Sequence, residues 1–404
     1  MDISLRPISD DELDDMVRTA ALAFGFEYSK EFVDIERLVF EPDRTAGAFD
    51  GNVLVGTSAT ATFRLTVPGA VAPAAGLTTV SVIPTHRRRG VLTALMEHHL
   101  EKVGGRGEPL SILWATEASI YGRFGYGMAT ASCRFRIDRA HSRFQRPHRS
   151  TGRTRVVDQE EALRAFPEIY RREQESHPGM IQWTPAWWRY FLTHPLHHKE
   201  GGPIYVLHDT AGALDGYLVY RFKRGWNEGV PTGTVEVDDL IANGPGAYAD
   251  LWRYCLDLDL AAQVTGDHLR ADEPLLHLLF EPRRLRLTVG DGLWVRLVDV
   301  PAALTARRYA VTGRLTLAVR DAFSPKNEGL YELEGGPDGA ECRPASGEPD
   351  LTLGAGELGA AYLGGTRFRT LERAGRVVEG RPGAITRADA MFAWDPAPWS
   401  PHVF

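Results

Sequence analysis

The stretch Thr78-Thr-Val-Ser-Val-Ile-Pro-Thr-His-Arg-Arg-Arg-Gly-Val-Leu-Thr93 decides how this chain is read. A β-branched strand runs into a basic turn that contains a glycine, and the turn opens a helix. In Val91-Leu-Thr-Ala-Leu-Met-Glu-His-His-Leu100, the residues Leu92, Leu95, Met96 and Leu100 fall at the spacing of one apolar helix face, so the first helical turn lies at Arg89-Gly90. Such an end carries unpaired backbone N–H groups and the positive pole of the helix dipole, which together bind phosphate oxygens. Gly90 lets the backbone come close to a ligand, and the forks of Arg87, Arg88 and Arg89 suit a pyrophosphate. The plain alternative is a solvated arginine cluster. Three arginines in a chain of formal net charge -7 make no basic face, so nucleic acid is not expected as a partner.

Some thirty residues on, Ala118-Ser-Ile-Tyr-Gly-Arg-Phe-Gly-Tyr126 adds a second motif. Together the two motifs resemble the acetyl-CoA loop and the Tyr-x-x-x-Gly-aromatic segment of GCN5-related N-acetyltransferases. Leu92 departs from the small residue usual two places after the glycine. With a length near four hundred residues and a C-terminal Phe404, the whole chain resembles the Eis (enhanced intracellular survival) acetyltransferases, although its specific motifs lie at 78–128 and at the C-terminus.

The 404 residues correspond to about two to four domains of ~100–200 residues each. Composition is that of an ordinary globular protein, with no apolar run long enough for a membrane span and no secretory leader at Met1-Asp-Ile-Ser-Leu-Arg-Pro7, so a cytoplasmic protein without a membrane partner is expected. Cys133, Cys255 and Cys342 are odd in number and widely spaced, as buried small hydrophobes would be. The pairs His98-His99 and His197-His198 point about 100° apart on a helix, which argues against a shared metal ion.

Along the chain, 10–24 reads as an amphipathic helix, followed by strands near 45–50, 53–66 and 76–83. Beyond the arginine turn and its helix come a strand at 110–115, a short helix at 118–124 and a last strand near 129–138, an α/β order. Residues 140–155 lack apolar periodicity and read as a linker or surface excursion with a domain boundary in it. The centre then echoes the start: Ala211–Tyr220 resembles Phe49–Gly56, Thr234–Ile241 resembles the strand at 78–83, and Gly244–Leu256 stands where the arginine turn and helix would be, without the arginines. This repeat is expected to shape the substrate pocket and to bind no second cofactor. From Asp299 on, alternating strands such as 314–321 and 330–333, Gly-rich turns and helices near 355–363 and 386–393 read as an α+β domain. The expected fold is therefore α/β and α+β: an N-terminal acetyltransferase domain at 1–145, a degenerate copy at 146–290 and a domain at 291–404 that the resemblance makes sterol-carrier-like.

By the same resemblance the chain is an N-acetyltransferase for primary amines of aminoglycosides or similar polyamines, and a homohexamer. Acyl transfer to an amine needs a base, donors for the oxyanion and a proton for the departing sulfur. Tyr121 stands at the family's general-acid position, and a phenol of pKa ~10 is near enough to a thiolate of ~8.5 to donate. Tyr126 fills the later aromatic position, more often a packing one. The resemblance makes the Phe404 α-carboxylate the base. The apolar, proline-containing run Met391–Phe404 suits an end that docks where most chain ends fray. Expected acetyl-CoA contacts are Val80, Ser81 and Val82 for the pantetheine, Arg88, Arg89, Gly90, Val91, Leu92 and Thr93 for the pyrophosphate, and Thr116 and Glu117. Phe24 and Glu27, with Phe26, Tyr28 and the Trp183, Trp187, Trp188 cluster, are candidates for holding a cationic amine. Rival readings are acetylation of a protein or peptide lysine and a CoA-binding regulatory protein without turnover.

Overall fold

The computed structural model describes residues 3–194 and 201–404, so His197 and His198 lie outside the described residues. Among those residues the chain builds two seven-stranded sheets, a two-stranded ribbon and a five-stranded sheet. The first sheet runs Ile3–Arg6, Thr45–Asp50, Val53–Val67, Ala70–Val82, Leu110–Trp114, Leu293–Leu297, Gly127–Met128. Its neighbours are antiparallel except Ala70–Val82 with Leu110–Trp114, which the helix Val91–Gly105 joins by the crossover that parallel strands require. The buried face of that helix is Val91, Leu95, Met96, His99, Leu100 and Val103. Its expected apolar stripe is thus rotated: Leu92 is only half-buried, while His99 goes inward because Thr60 and Ser111 hydroxyls meet its two ring nitrogens at 2.9 and 2.8 Å.

The second sheet repeats this plan. Ile204–Thr210, Ala213–Lys223 and Gly233–Ala242 form an antiparallel meander; the helix Pro245–Asp257 then crosses over to Ala261–Leu269, which lies parallel to Gly233–Ala242. Its order is Thr288–Asp291, Ala131–Asp138, Ala261–Leu269, Gly233–Ala242, Ala213–Lys223, Ile204–Thr210, Arg153–Val157.

The last strand expected for the first domain therefore forms, as Ala131–Asp138, but in the second sheet. Leu293–Leu297 returns the exchange by pairing with Leu110–Trp114 in the first. The two segments cross at Thr130, whose carbonyl accepts from Gly292 N at 3.0 Å and whose hydroxyl accepts from Leu293 N at 2.8 Å. Cuts at 145 and 290 consequently do not separate the sheets. Residues 140–155 are a tied-down surface excursion and not a free linker. They carry a short helical turn and the start of strand Arg153–Val157, and Asp250 collects Thr151 N at 2.8 Å, Gly152 N at 3.2 Å and His208 Nε2 at 2.9 Å. Burial opposes ionisation of Asp250, yet these donors and His148 hold its pKa down to about 2.

The five-stranded sheet, Gly339–Pro344, Gly329–Gly336, Gly313–Arg320, Leu351–Gly354, Val377–Glu379, carries the helices Ala355–Ala361, Phe368–Arg373 and Ala384–Phe392. One apolar core runs from the first sheet (Phe63, Leu110, Val295) into this domain (Leu317, Leu358, Phe392). Close approach of helix Ala355–Ala361 to strand Leu293–Leu297 needs Gly359, where a Cβ would stand 2.2 Å from the Val295 carbonyl oxygen. Beyond Phe392 the tail has no regular structure, yet Trp399, Ser400 and His402 are buried. All three cysteines are buried and unpaired. Among the described residues no helix is long and apolar enough to cross a membrane.

Candidate active site

Strands Ala70–Val82 and Leu110–Trp114 pair only from Ala74–Leu110 to Gly76–Ile112 and then part. This fork is widened by a bulge, where Thr57 opposes Ser81 and Ala59 opposes Thr78, with Thr79 in the left-handed region at φ 51°. The Thr57 hydroxyl pins the bulge by donating to Thr79 O at 2.8 Å and lying 2.7 Å from Ser81 Oγ. The Ser81 hydroxyl is thereby engaged by Thr57 within the sheet.

Past the fork lies a cavity of about 730 Å³. Val80, Ser81, Val82, Arg88, Gly90, Val91, Leu92, Thr93, Thr116, Glu117 and Tyr121 all line it. Arg89 does not. Arg87, by contrast, braces the turn, donating to Val82 O at 3.1 Å and to Ala23 O at 2.9 Å. Gly90 caps the helix at φ 83°, a conformation glycine adopts without strain, and no side chain caps the helix N-terminus. Free N–H groups, an arginine at the mouth, parted strands and a cavity of this size fit the pyrophosphate and pantetheine of a CoA thioester.

Tyr121 sits on the short helix Ala118–Tyr121 after strand Leu110–Trp114. It is buried, its hydroxyl has no hydrogen-bond partner among the described residues, and burial with the nearby Glu117 pushes its pKa up to about 12. Tyr126 plays the other part: its hydroxyl lies 2.7 Å from Ser111 Oγ in the buried chain Tyr126–Ser111–His99–Thr60, and its ring packs edge-on against Tyr121 at 6.0 Å. The turn between them is fixed by Arg296, which sequence reading missed. Fully buried, Arg296 donates to Phe124 O and pairs with Asp321 at 2.7 Å. Gly125, at φ 78°, leaves the room the guanidinium needs.

Phe404 reaches the same strand from the other end of the chain. Thr78 Oγ1 donates to a carboxylate oxygen of Phe404 at 3.1 Å, and the Phe404 ring packs edge-on against Phe63 at 4.8 Å. Thr78, Thr79, Glu36, Glu41, Trp187 and Tyr190 line a small cavity with it. Burial pushes Glu36 up to about 6, against the pull of the Tyr190 hydroxyl that donates to it at 3.0 Å. Glu41 accepts from Thr62 N at 2.8 Å and Thr62 Oγ1 at 2.6 Å.

Of the expected amine-binding pair, Phe24 lines the cavity at Tyr121 and Glu27 is exposed and lines neither cavity, so the two are not brought together at Phe404. The reason is local: helix Leu13–Phe24 ends at left-handed Gly25, and the chain turns outward before Ser29 caps the next helix, Lys30–Glu36. The acidic residues beside Phe404 are Glu36, at the end of that next helix, and Glu41. Of the tryptophans, Trp187 lines the Phe404 cavity, Trp183 donates to His402 Nδ1 at 3.0 Å, and Trp188 is core.

Comparison with known proteins agrees with this architecture. Residues 4–129 and 179–297 match two acetyltransferase (GNAT) domain families, and residues 300–401 match a sterol carrier protein domain. An uncharacterized N-acetyltransferase of Streptomyces avermitilis is 40% identical over the full length of both chains. The N-acetyltransferase Eis of Mycobacterium tuberculosis is 33% identical over 98% of each chain. Among solved structures, Eis1 from Mycobacterium abscessus superposes over the whole of both chains with a TM-score of 0.86 at 35% identity. Two GNAT domains, the sterol-carrier-like third domain and identity along the whole length lead to one conclusion: the chain belongs to the Eis family of GCN5-related N-acetyltransferases.

Proposed function

We propose that this acetyltransferase moves the acetyl group of acetyl-CoA to a primary amine of an aminoglycoside or similar polyamine, with Tyr121 as general acid and the Phe404 α-carboxylate as base. The observation that carries the reading is the course of one strand. Past the fork, Ala70–Val82 gives Thr78 and Thr79 to the cavity at Phe404 and then Val80, Ser81 and Val82 to the cavity at Tyr121. A base and an acid thus flank the segment along which the thioester arm would lie.

In this scheme the N–H groups at Val91, Leu92 and Thr93 and the Arg88 fork hold the pyrophosphate, and the backbone of Val80–Val82 pairs with the pantetheine amides. The Phe404 carboxylate takes a proton from the ammonium or from the amine as it attacks the thioester carbonyl. A C–N bond forms, the C–S bond breaks, and Tyr121 gives its proton to the departing sulfur. Tyr121 stays protonated throughout the physiological range, because burial holds its pKa near 12. Burial disfavours the departing thiolate as well, so donor and acceptor rise together. Glu36 and Glu41 supply the negative charge that a polycation seeks. The family resemblance further implies a homohexamer in the cytoplasm, which sedimentation and fractionation would check.

The test is CoA-thiol release from acetyl-CoA with a panel of aminoglycosides and polyamines, comparing the native chain with one extended by a few residues beyond Phe404. Loss of release on extension, with acetyl-CoA binding kept, is the expected result. Equal release by both chains removes Phe404 from the mechanism.

A further inference from the structure

The central sheet has a fork of its own. Gly233–Ala242 and Ala261–Leu269 pair in parallel as far as Val237–Gly266 and then part, as the cofactor-side strands do after Gly76–Ile112. Two residues beyond its last pair stand Asp239 on one arm and His268 on the other. Their counterparts in the first fork are Thr78 and Trp114, and the two forks face each other through the ring contact of Trp114 with His268 at 5.0 Å.

The C-terminal tail holds both arms of the central fork. Trp399 Nε1 donates to His268 O at 2.7 Å, and that carbonyl is turned toward it by a left-handed backbone at φ 58°. His402 is buried among Tyr170, Trp183, Trp188 and Phe191, with ring centroids at 5.3, 5.6, 6.2 and 4.3 Å. Indole N–H can only donate, so the 3.0 Å bond from Trp183 Nε1 makes His402 Nδ1 an acceptor and leaves the ring proton on Nε2. That proton points at Asp239 Oδ2, 3.0 Å away, which also accepts from Tyr217 at 2.7 Å. Both ring nitrogens are therefore committed, which fixes the tautomer and the orientation two residues before the Phe404 carboxylate. At the mouth, Pro401 and Val403 line a cavity of about 790 Å³ with Val237, Gly266 and His268.

We infer that the fork of the central domain is a docking site for the chain's own C-terminal segment, Trp399–Phe404, and that Asp239 and His402 are positioning residues for the Phe404 carboxylate. Where the arms of the first fork stay free, those of the second are bridged by the tail, which then crosses to Thr78 of the first. The positioning part rests on the base role proposed above for Phe404; the docking part does not.

Docking is tested by timing the removal of Phe404 from the full chain with carboxypeptidase A, read by intact mass. Asp239→Ala removes the acceptor, and His402→Phe keeps the aromatic packing while deleting both hydrogen bonds, which guards against a variant that fails to fold. Release of Phe404 about tenfold faster than in the native chain, with acetyl-CoA binding unchanged, is expected. Equal release from native and variant chains overturns the docking site.

Positioning is tested by activity: His402→Phe is expected to lower kcat about tenfold with the KM for acetyl-CoA unchanged, and to lower it no further in a chain already lacking Phe404, as residues acting through one group behave. Additive losses overturn the positioning role. Should deletion of Phe404 leave full activity while His402→Phe still frees the tail, the base reading falls and the docking site stands.

Discussion

The two forks of this protein share one topology and differ in what fills them. In the first, strands part after Gly76–Ile112, and the arginine turn with left-handed Gly90 leads into a helix whose N-terminus no side chain caps. In the second, strands part after Val237–Gly266, but the helix begins at Pro245, which has no N–H to offer, and the arginines are absent. Thr151 covers that helix start so closely that a Cβ on Gly246 would lie 2.5 Å from its Oγ1, and the tail occupies the arms beyond. A helix start left open in one copy is thus closed in the other, through a few residues at the helix start and one inserted chain end.

The contrast can be broken at several points. The largest effect is expected for Tyr121→Phe, which should lower kcat by about 10²–10⁴-fold with acetyl-CoA affinity kept, as measured by steady-state rates and calorimetry. Next comes Arg296→Met, which strands Asp321 as an uncompensated buried charge and loosens the turn carrying Tyr121; a loss of about 3–5 kcal/mol is expected in chemical denaturation. A matched pair sharpens the comparison of helix starts. Gly90→Ala forces a side chain into the left-handed region at a cost of about 1–2 kcal/mol and should raise the KM for acetyl-CoA, whereas Gly246→Ala collides with Thr151 and should lower thermal stability with that KM unchanged.

The smallest effect is in pH. With its pKa raised to about 6, Glu36 is charged above that value and neutral below it, so attraction of a cationic amine is full at pH 8 and fades as pH falls through 6. The amine KM should rise severalfold over that interval, and Glu36→Gln should flatten the rise. Tyr121, held near 12, contributes no loss on the alkaline side of neutrality.

Much of the first fork was legible because its signals are local. Strand, basic turn, glycine and amphipathic helix are contiguous, and ten of the eleven expected cofactor contacts and Tyr121 line one cavity, Arg89 being the contact that does not. The echo of that order in the centre was legible for the same reason. Which sheet a strand joins was not, because alternation gives a strand its buried face and says nothing of its partner, so the exchange of Ala131–Asp138 for Leu293–Leu297 went unread. Arg296 looks like a solvent-facing charge until Asp321 is found beside it. Glu36 and Glu41 carry no signal that separates them from Glu27; only the turn at Gly25 decides which carboxylates face Phe404. The pairing of His402 with Asp239 spans 163 residues, beyond any local pattern.

Whether one fork takes the cofactor and the other the tail is decided by the stoichiometry of acetyl-CoA binding in isothermal titration calorimetry. One acetyl-CoA per chain is expected, with binding weakened by Gly90→Ala and untouched by Gly246→Ala. Two per chain, or a single site that responds to Gly246→Ala instead, would contradict it.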